Sequence, residues 1–269
     1  MVNQIKGDED MLREHLLTEV SNHVLLVTLN RPESLNAFSP DMIADLTNTI
    51  VDVRQNSQIR AIVIRGAGRS FSAGGDVKSM GQATAVQMYD HVGKLNDCIL
   101  AMDSCEVPII AAVHGFAAGA GFNLALACDL IVAAEDSQFA MSFSKVGLIS
   151  DGGGSYFLPK LVGPHLAKQL FFSAEPISAE RLHQLGVINH VFPLNQLEEE
   201  VLKIADKLAH GPTKAYGMMK KLVSHSFTAS LEEILEQERI TQTLMGTTED
   251  HIEGVTAFKE KRKPKYTGN

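Results

Sequence analysis

The sequence predicts an α/β fold, and two patterns along the chain support this class. Short apolar runs, of the length of buried strands, alternate with longer segments in which apolar residues recur at helical spacing. Two glycine-rich loops, residues 66–76 and 115–121, each come directly after such an apolar run. Strands that alternate with helices need crossover connections, so a sheet covered by helices is expected.

The first half of the chain supplies a hairpin, a helix and a strand. Residues 16–20 and 24–29 flank Ser21-Asn22-His23 and predict an opening β-hairpin. A helix is expected to begin at Pro40, with Ser39 as its cap, because proline is favoured at the first helical position. Residues 61–64, AIVI, read as a buried strand that runs into the first glycine-rich loop.

The second half continues the alternation and then changes in composition. We predict a helix at 85–102, a strand at 109–113, a small-residue turn, a buried helix at 122–128 and a strand at 130–133, with helical patterns resuming at Gly163. From about Leu197 the chain is rich in Leu, Glu and Lys, which predicts long helices at 197–209 and 231–245. We therefore divide it into a core, 1–196, and a C-terminal helical region, 197–269. No repeat of 20 to 50 residues is evident.

Composition excludes several classes of function. The chain has 269 residues and a net charge of -8, which argues against a nucleic-acid groove or an anionic membrane as the main partner. Its 45% hydrophobic content is ordinary for a folded domain, and glycines and polar residues interrupt the most apolar segment, so no membrane span is predicted. The polar, acidic first residues resemble no signal peptide, which predicts a cytoplasmic location with reduced cysteines. Ten histidines without clustered spacing predict no metal site.

The glycine-rich stretch at 115–121 predicts a place where negative charge can be held. A helix that starts at these glycines presents backbone amides that have no intrahelical partner, at the positive end of the helix dipole. Such amides can form half of an oxyanion hole, whose donors must come close to the developing charge. The alternative is a tight connection that uses small residues for packing alone.

Other motifs leave the chemistry open at this level. Gly66-Ala67-Gly68 lacks the third glycine of a dinucleotide fingerprint, and the chain has neither a P-loop nor a GxSxG elbow. Asp151, which precedes three glycines, is either a turn residue or a carboxylate whose burial would raise its pKa toward a useful base. The basic end of the chain, including Lys261, is either a solvated helix end or a phosphate-binding segment.

Taken together, the loops resemble the crotonase family, the enoyl-CoA hydratase and isomerase superfamily. The resemblance covers nearly the whole chain and rests on these segments: LNRPESLNAF at 29–38, FSAGGD at 71–76, VPIIAAVHGFAAGAG at 107–121, LACDLIVAAEDSQF, GLISDGGGSYFLPKLVG and AFKEKRKP. It implies a spiral of ββα units followed by a C-terminal helical region that builds trimers, often paired into hexamers. It also implies an acyl-CoA thioester substrate and no separate cofactor, since coenzyme A is part of the substrate.

The resemblance assigns residues to the thioester site. The backbone amides of Gly75 and Ala120 are expected to form the oxyanion hole. The residues expected to contact coenzyme A are Leu35, Ala37, Ala73, Asp76, Lys78, Phe258 and Lys261, the last two commonly from a neighbouring subunit. Small residues beside the hole fit a short donor distance to the thioester oxygen.

Departures from the family pattern decide the expected reaction. Asn123 and Phe143 stand where the hydratases carry two glutamates, whereas Asp151 stands where isomerases, including the ring-epoxide isomerases of phenylacetate breakdown, carry their acidic residue. We predict an acyl-CoA double-bond isomerase with Asp151 as single acid/base and Asn123 orienting it or a polar acyl group. Enoyl-CoA hydration is the enzymatic alternative, and RNA binding or a scaffold role the non-enzymatic one. A dehalogenase would need a tryptophan, which the chain lacks.

Overall fold

A computed structural model of the protein describes residues 15–76 and 83–269, which fold into nine strands and nine α-helices. The strands are β1 (Leu16–Ser21), β2 (Val24–Leu29), β3 (Ala61–Gly66), β4 (Ile109–Val113), β5 (Phe116–Ala118), β6 (Leu130–Ala134), β7 (Gln138–Ala140), β8 (Ile177–Ser178) and β9 (His190–Phe192). The helices are α1 (Pro40–Val53), α2 (Ala85–Asp103), α3 (Ala120–Leu126), α4 (Gly154–Ser173), α5 (Ala179–Gln184), α6 (Leu194–Ala209), α7 (Thr213–Ser226), α8 (Leu231–Met245) and α9 (Glu249–Glu260). The predicted α/β class is confirmed.

The main sheet has six strands in the order β1-β2-β3-β4-β6-β9. β1 and β2 form the predicted antiparallel hairpin, and the other pairings are parallel. Asn22 and His23 turn the hairpin with φ angles of 48° and 65°, because a two-residue turn that matches strand twist needs left-handed backbone. The Ser39 hydroxyl accepts a hydrogen bond from the Met42 amide at 3.1 Å, so the predicted cap of α1 is confirmed.

Both faces of the main sheet are covered, which explains its continuously apolar strands. Alternate strand residues such as Ile62 and Ile109 face a large core that includes α1 and α2, whereas Val63 and Ile110 face α6. The predicted boundary at residue 197 falls inside α6, a helix that packs on the sheet. The change in composition there therefore marks no break in packing, and the division into two domains stays a prediction.

A second, three-stranded sheet, in the order β5-β7-β8, holds the glycine-rich stretch in place. β5 is part of what we predicted as a small-residue turn, and with three residues it is too short to give an alternating pattern. The helix after it, α3, begins at Ala120, two residues earlier than predicted. The backbone therefore passes from β4 through β5 into α3 within ten residues.

The three glycines after Asp151 lead into α4, which begins at Gly154, nine residues before the predicted start at Gly163. Gly163, where we expected helical patterns to resume, interrupts this helix with φ 78° and ψ 162°. Among the described residues, no helix combines the length and the apolar character needed to cross a membrane. Cys98, Cys105 and Cys128 are buried free thiols.

Candidate active site

Three loops meet at one end of the fold and are joined by backbone hydrogen bonds. The Phe38 amide donates to the Gly74 carbonyl at 2.7 Å, and Phe38 forms an isolated β-bridge with Gly75. The loop after β3, which contains Ser72 and Gly74, also pairs with the glycine-rich stretch at 115–121, where the Ala118 amide donates to the Ser72 carbonyl at 2.9 Å. The loop after β3 is thus held between the loop after β2 and the approach to α3.

The absence of side chains at two glycines allows this close contact. Gly74 has a φ of 85°, and a Cβ there would lie 2.5 Å from the Ala118 carbonyl oxygen and 2.8 Å from the Ala120 nitrogen. A Cβ on Gly121 would lie 2.5 Å from the Ser72 carbonyl oxygen. Both positions therefore exclude any side chain, and this brings the segment that carries Gly75 against the amino terminus of α3.

The amides of Gly75 and Ala120 are available to a ligand. Within the described residues neither amide donates a hydrogen bond to the protein. Ala120 is the first residue of α3, where an amide has no intrahelical acceptor. Two donors without partners, beside each other in a tightly packed corner, are what a thioester oxyanion needs.

Both residues line one cavity of about 750 Å³ together with Asp151. Its walls are mainly apolar, with contributions from Phe38, Ile43, Val92, Leu95, Leu148 and Tyr156. Helix α2 supplies one wall, since positions 87, 88, 91, 92, 95 and 96 share a face of the helix and all line the cavity. An apolar pocket with a few convergent polar groups is typical of a small-molecule site.

Asp151 lines this cavity with a carboxylate that has one oxygen without a partner. Its Oδ1 atom is buried and accepts no hydrogen bond from the described residues. Burial raises the pKa of the Asp151 carboxyl to about 6, and a hydrogen bond from its own backbone amide lowers it in part. The group can therefore exchange a proton near neutral pH, which suits a general base.

Asn123 fixes the backbone of the loop that carries Asp151. The side chain is fully buried, and its Nδ2 donates to the Asp151 carbonyl at 2.7 Å and to the Ser150 hydroxyl at 3.0 Å. Gly154 completes this contact, because a Cβ there would lie 2.2 Å from Asn123 Oδ1. Since Asn123 belongs to α3, the helix that presents the Ala120 amide also positions the candidate base.

Asp76 is the second described carboxylate on the cavity wall, and it is paired. Its Oδ2 lies 3.2 Å from Arg31 Nη2, and Arg31 Nη1 donates to the Ala37 carbonyl at 2.7 Å. This pairing joins the first two loops. We assigned Asp76 to coenzyme A from the resemblance, and the structure adds that its carboxylate is bound to Arg31.

Leu35 and Ala73 lie beside the cavity, outside the set of described residues that line it. The Ala73 amide donates to the Leu35 carbonyl at 2.8 Å, next to the Phe38–Gly75 bridge, and Ala37 is buried between these positions. Leu35 and Asn36 both have left-handed backbone, with φ angles of 53° and 54°. Strained residues of this kind cluster at ligand-binding loops, which agrees with the predicted contact to coenzyme A.

Two of the remaining predicted contacts, Phe258 and Lys261, do not line this cavity. Lys78 lies outside the described residues. Phe258 is 86% exposed and lines a separate cavity of about 430 Å³ among the C-terminal helices, and Lys261 follows the end of α9. A role for these two residues at the site of a neighbouring subunit stays a prediction.

Sequence reasoning missed two residues that hold the first loop. Asn36 is fully buried and donates from Nδ2 to the carbonyls of Ala67 and Ser70, both at 2.8 Å, while its Oδ1 accepts from the Arg31 amide at 2.9 Å. The signal was present, because asparagine tolerates left-handed backbone and bonds to nearby backbone groups. Arg31 is the second residue, and no local pattern indicated that it pairs with Asp76.

The described residues contain no group of three or more His, Cys, Asp or Glu side chains that could hold a metal ion. The cavity offers, among its polar groups, two backbone amides and a carboxylate with a raised pKa. This set can polarise a carbonyl and move a proton at a neighbouring carbon.

Comparison with known proteins places this site in a family. Residues 19–269 match the model of the family described as enoyl-CoA hydratase/isomerase. The chain is 38% identical over 263 residues to a 1,2-epoxyphenylacetyl-CoA isomerase of Escherichia coli K12, covering 96% of this chain and 100% of that protein. It is 35% identical over 257 residues to a 2,3-dehydroadipyl-CoA hydratase of the same organism, covering 94% and 98% respectively.

Solved structures agree with these sequence matches. A putative enoyl-CoA hydratase from Streptomyces coelicolor A3(2) superposes with a TM-score of 0.92 at 33% identity over 100% of both chains. An enoyl-CoA hydratase from Polaromonas sp. JS666 superposes with a TM-score of 0.91 at 35% identity, covering 93% of this chain and 99% of that one. With a family match over most of the chain and a cavity that joins two free amides to a carboxylate, this protein belongs to the enoyl-CoA hydratase/isomerase family.

Proposed function

We propose that this member of the family is an acyl-CoA double-bond isomerase in which Asp151 is the single acid/base. One observation carries the proposal: the Asp151 carboxylate is the described carboxylate of the cavity that has no ion-pair partner, and its pKa is raised to about 6. The similarity to a protein named 1,2-epoxyphenylacetyl-CoA isomerase supports the same reading.

The proposed reaction needs one proton carrier and one site for negative charge. Asp151 removes a proton from the carbon next to the thioester carbonyl and returns it two carbons further along the acyl chain. In between, the negative charge of the dienolate is held on the thioester oxygen by the amides of Gly75 and Ala120. A carboxyl with a pKa near 6 is a usable base and its conjugate acid a usable acid, so one residue performs both steps.

Enoyl-CoA hydration is the second candidate, because several similar proteins are named hydratases. Addition of water by the two-glutamate route would need carboxylates at positions 123 and 143. Asn123 has no carboxylate and uses its amide to bind backbone, and Phe143 packs against the core. Asp76 is bound to Arg31, so among the described carboxylates of the cavity Asp151 is the one without an ion-pair partner that could activate water.

A substrate panel separates the two candidates. Purified protein is incubated with 3-enoyl-CoA, 2-enoyl-CoA and ring-epoxide CoA esters, and the conjugated thioester is followed by absorbance with product analysis by mass spectrometry. Conversion of the 3-enoyl or ring-epoxide ester to a product of unchanged mass supports the isomerase, because hydration would add the mass of one water molecule. Addition of water to the 2-enoyl ester at a higher kcat/KM would replace the proposal with the hydratase.

We also propose that the protein is a trimer or hexamer whose subunits share the coenzyme A site. Helices α7–α9 leave large apolar side chains exposed in the single chain, among them Val223, Leu231, Ile252 and Phe258. Exposed apolar surface of this extent favours association. Analytical ultracentrifugation tests the proposal, and a monomer with full activity would contradict it.

A further inference from the structure

Lys160 has an unusual environment beside the cavity. Its Nζ lies 3.2 Å from the centroid of the Tyr156 ring and 4.5 Å from that of the Phe227 ring. The Nζ atom is buried and has no hydrogen-bond acceptor among the described residues. Within the described part of the chain, this ammonium therefore has two aromatic rings as neighbours and no hydrogen-bond acceptor.

A buried ammonium without an acceptor loses the free energy of its hydration, so its position requires a compensating interaction. A cation within about 6 Å of an aromatic centroid is attracted by the electrons of the ring, and the attraction grows when the cation is desolvated. Lys160 satisfies this criterion with both rings. It follows Tyr156 by four residues on α4, so the helix holds the pair on one face.

The contact links the cavity to the C-terminal region. Tyr156 lines the cavity that contains Asp151, and its ring is 49% exposed. Phe227 ends α7 and is 56% exposed. A half-exposed ring would ordinarily change rotamer freely, whereas the Lys160 cation and the Phe157 ring, whose centroid lies 5.3 Å from that of Tyr156, both pack against the Tyr156 ring and restrain it where it lines the cavity.

We propose that Lys160 is a positioning residue that fixes the Tyr156 ring as a wall of the acyl cavity and so favours ring-bearing acyl groups over linear ones. This inference rests on the proposed acyl-CoA site. A ring-bearing acyl group gains a large contact with a flat wall, and it gains most when the wall is already ordered, because less conformational entropy is then lost on binding. A linear chain can adapt to the other apolar residues of the cavity and depends less on this ring.

The test compares two saturated esters that cannot isomerise, hexanoyl-CoA and 4-cyclohexylbutanoyl-CoA, by isothermal titration calorimetry. Lys160→Met keeps the length of the side chain and removes the charge. It is expected to raise the Kd of the cyclohexyl ester about five- to tenfold, the effect of losing one desolvated cation–π contact, and that of hexanoyl-CoA less than about twofold. Lys160→Arg keeps a cation and should restore the wild-type ratio of the two Kd values. Lys168→Met, at an exposed position of the same helix, is the matched control and should change neither value.

The outcomes separate this inference from the proposed function. Equal weakening of both esters in Lys160→Met, no weakening, or failure of Lys160→Arg to restore the ratio would each overturn the inference. If Lys160→Met does not fold, Phe227→Leu decides, since loss of the second ring should shift the ratio in the same direction. A wild-type protein that binds both esters but isomerises no 3-enoyl-CoA would overturn the isomerase and leave the inference to the binding ratio, and a protein that binds neither ester would overturn both.

Discussion

The two sides of the cavity use different chemical groups, backbone amides on one side and side chains on the other. The oxyanion side consists of backbone amides, those of Gly75 and Ala120, and its geometry depends on Gly74 and Gly121 having no side chain. The proposed acid/base side consists of side chains: Asp151 is the proposed proton carrier, and Asn123 binds the backbone of the loop that carries it. One side therefore depends on close packing and the other on desolvation and hydrogen bonding.

Because of this difference, residue substitutions can alter the chemical role of one side of the cavity more readily than that of the other. Backbone amides are independent of residue identity, so the oxyanion side serves any thioester that reaches it. The acid/base side is set by the residues at two or three positions, and the exchange of a carboxylate there changes the reaction.

We expect the largest loss of activity when the proposed acid/base side is altered. Asp151→Asn keeps the size of the side chain and removes the proton carrier, so isomerisation should fall by about 10²–10⁴-fold. Binding of an unreactive acyl-CoA should stay within about twofold, because the amides of Gly75 and Ala120 are unchanged. Steady-state kinetics and calorimetry measure the two effects. Wild-type turnover in Asp151→Asn, together with loss of activity in Asn123→Ala, would place the acid/base elsewhere and favour hydration.

The next largest loss of activity is expected from a change on the proposed oxyanion side that leaves the Asp151 side chain unchanged. Gly74→Ala places a Cβ 2.5 Å from the Ala118 carbonyl oxygen at a left-handed φ, so the two loops must separate. Loss of one well-placed oxyanion donor costs about 10²–10³-fold in kcat, and we expect a loss of this order. Gly93→Ala is the matched control, since a Cβ at that position in α2 meets no atom within 4 Å. Circular dichroism confirms that both variants are folded, and a folded Gly74→Ala with full kcat would contradict the assignment.

The two sides also differ in how far the sequence could predict them. Glycines directly after apolar runs predicted where two loops approach each other closely, because a close backbone approach requires residues without a side chain. Asp151 remained ambiguous between turn and base, since the pattern gives no burial or partners, and the family resemblance was needed to choose. The second sheet was missed because β5, β7 and β8 have two or three residues each.

The pairing of Arg31 with Asp76 was also beyond the sequence. The two residues are 45 positions apart, and their meeting depends on how the first two loops pack. The position of Asn36 was easier to predict, because its residue type suits left-handed backbone, yet two of its three hydrogen bonds are to the loop after β3. Local patterns therefore predicted elements and loops, whereas the partners of polar side chains required the fold.

The two sides of the cavity should also differ in how they depend on pH. In the proposed reaction Asp151 acts first as a base, so the reaction needs its ionised form, and burial raises the pKa of this carboxyl to about 6. We expect kcat/KM to be constant above about pH 7 and to fall about tenfold per pH unit well below pH 6. The amides of the oxyanion side do not titrate in this range and add no second step. A profile that is flat down to pH 4.5, measured where the protein stays folded, would show that Asp151 is not the base.

The smallest effect concerns stability and has the opposite sign to the effect on activity. Burial favours the neutral form of Asp151, so its pKa in the folded state, about 6, exceeds its ordinary value of 3.8. The folded state then binds more protons than the unfolded state between these two pH values, and the free energy of unfolding falls as pH rises through them. Since one pKa unit corresponds to 1.36 kcal/mol and the carboxylate is partly accessible, the ionised group costs about 1–3 kcal/mol at pH 7. Asp151→Asn should therefore be more stable than the wild type by this amount at pH 7, and the gain should vanish below about pH 4. Urea denaturation of both proteins at pH 4, 5, 6 and 7 measures the difference, and a gain that is absent at pH 7 or grows toward low pH would mean that Asp151 is not strained by burial.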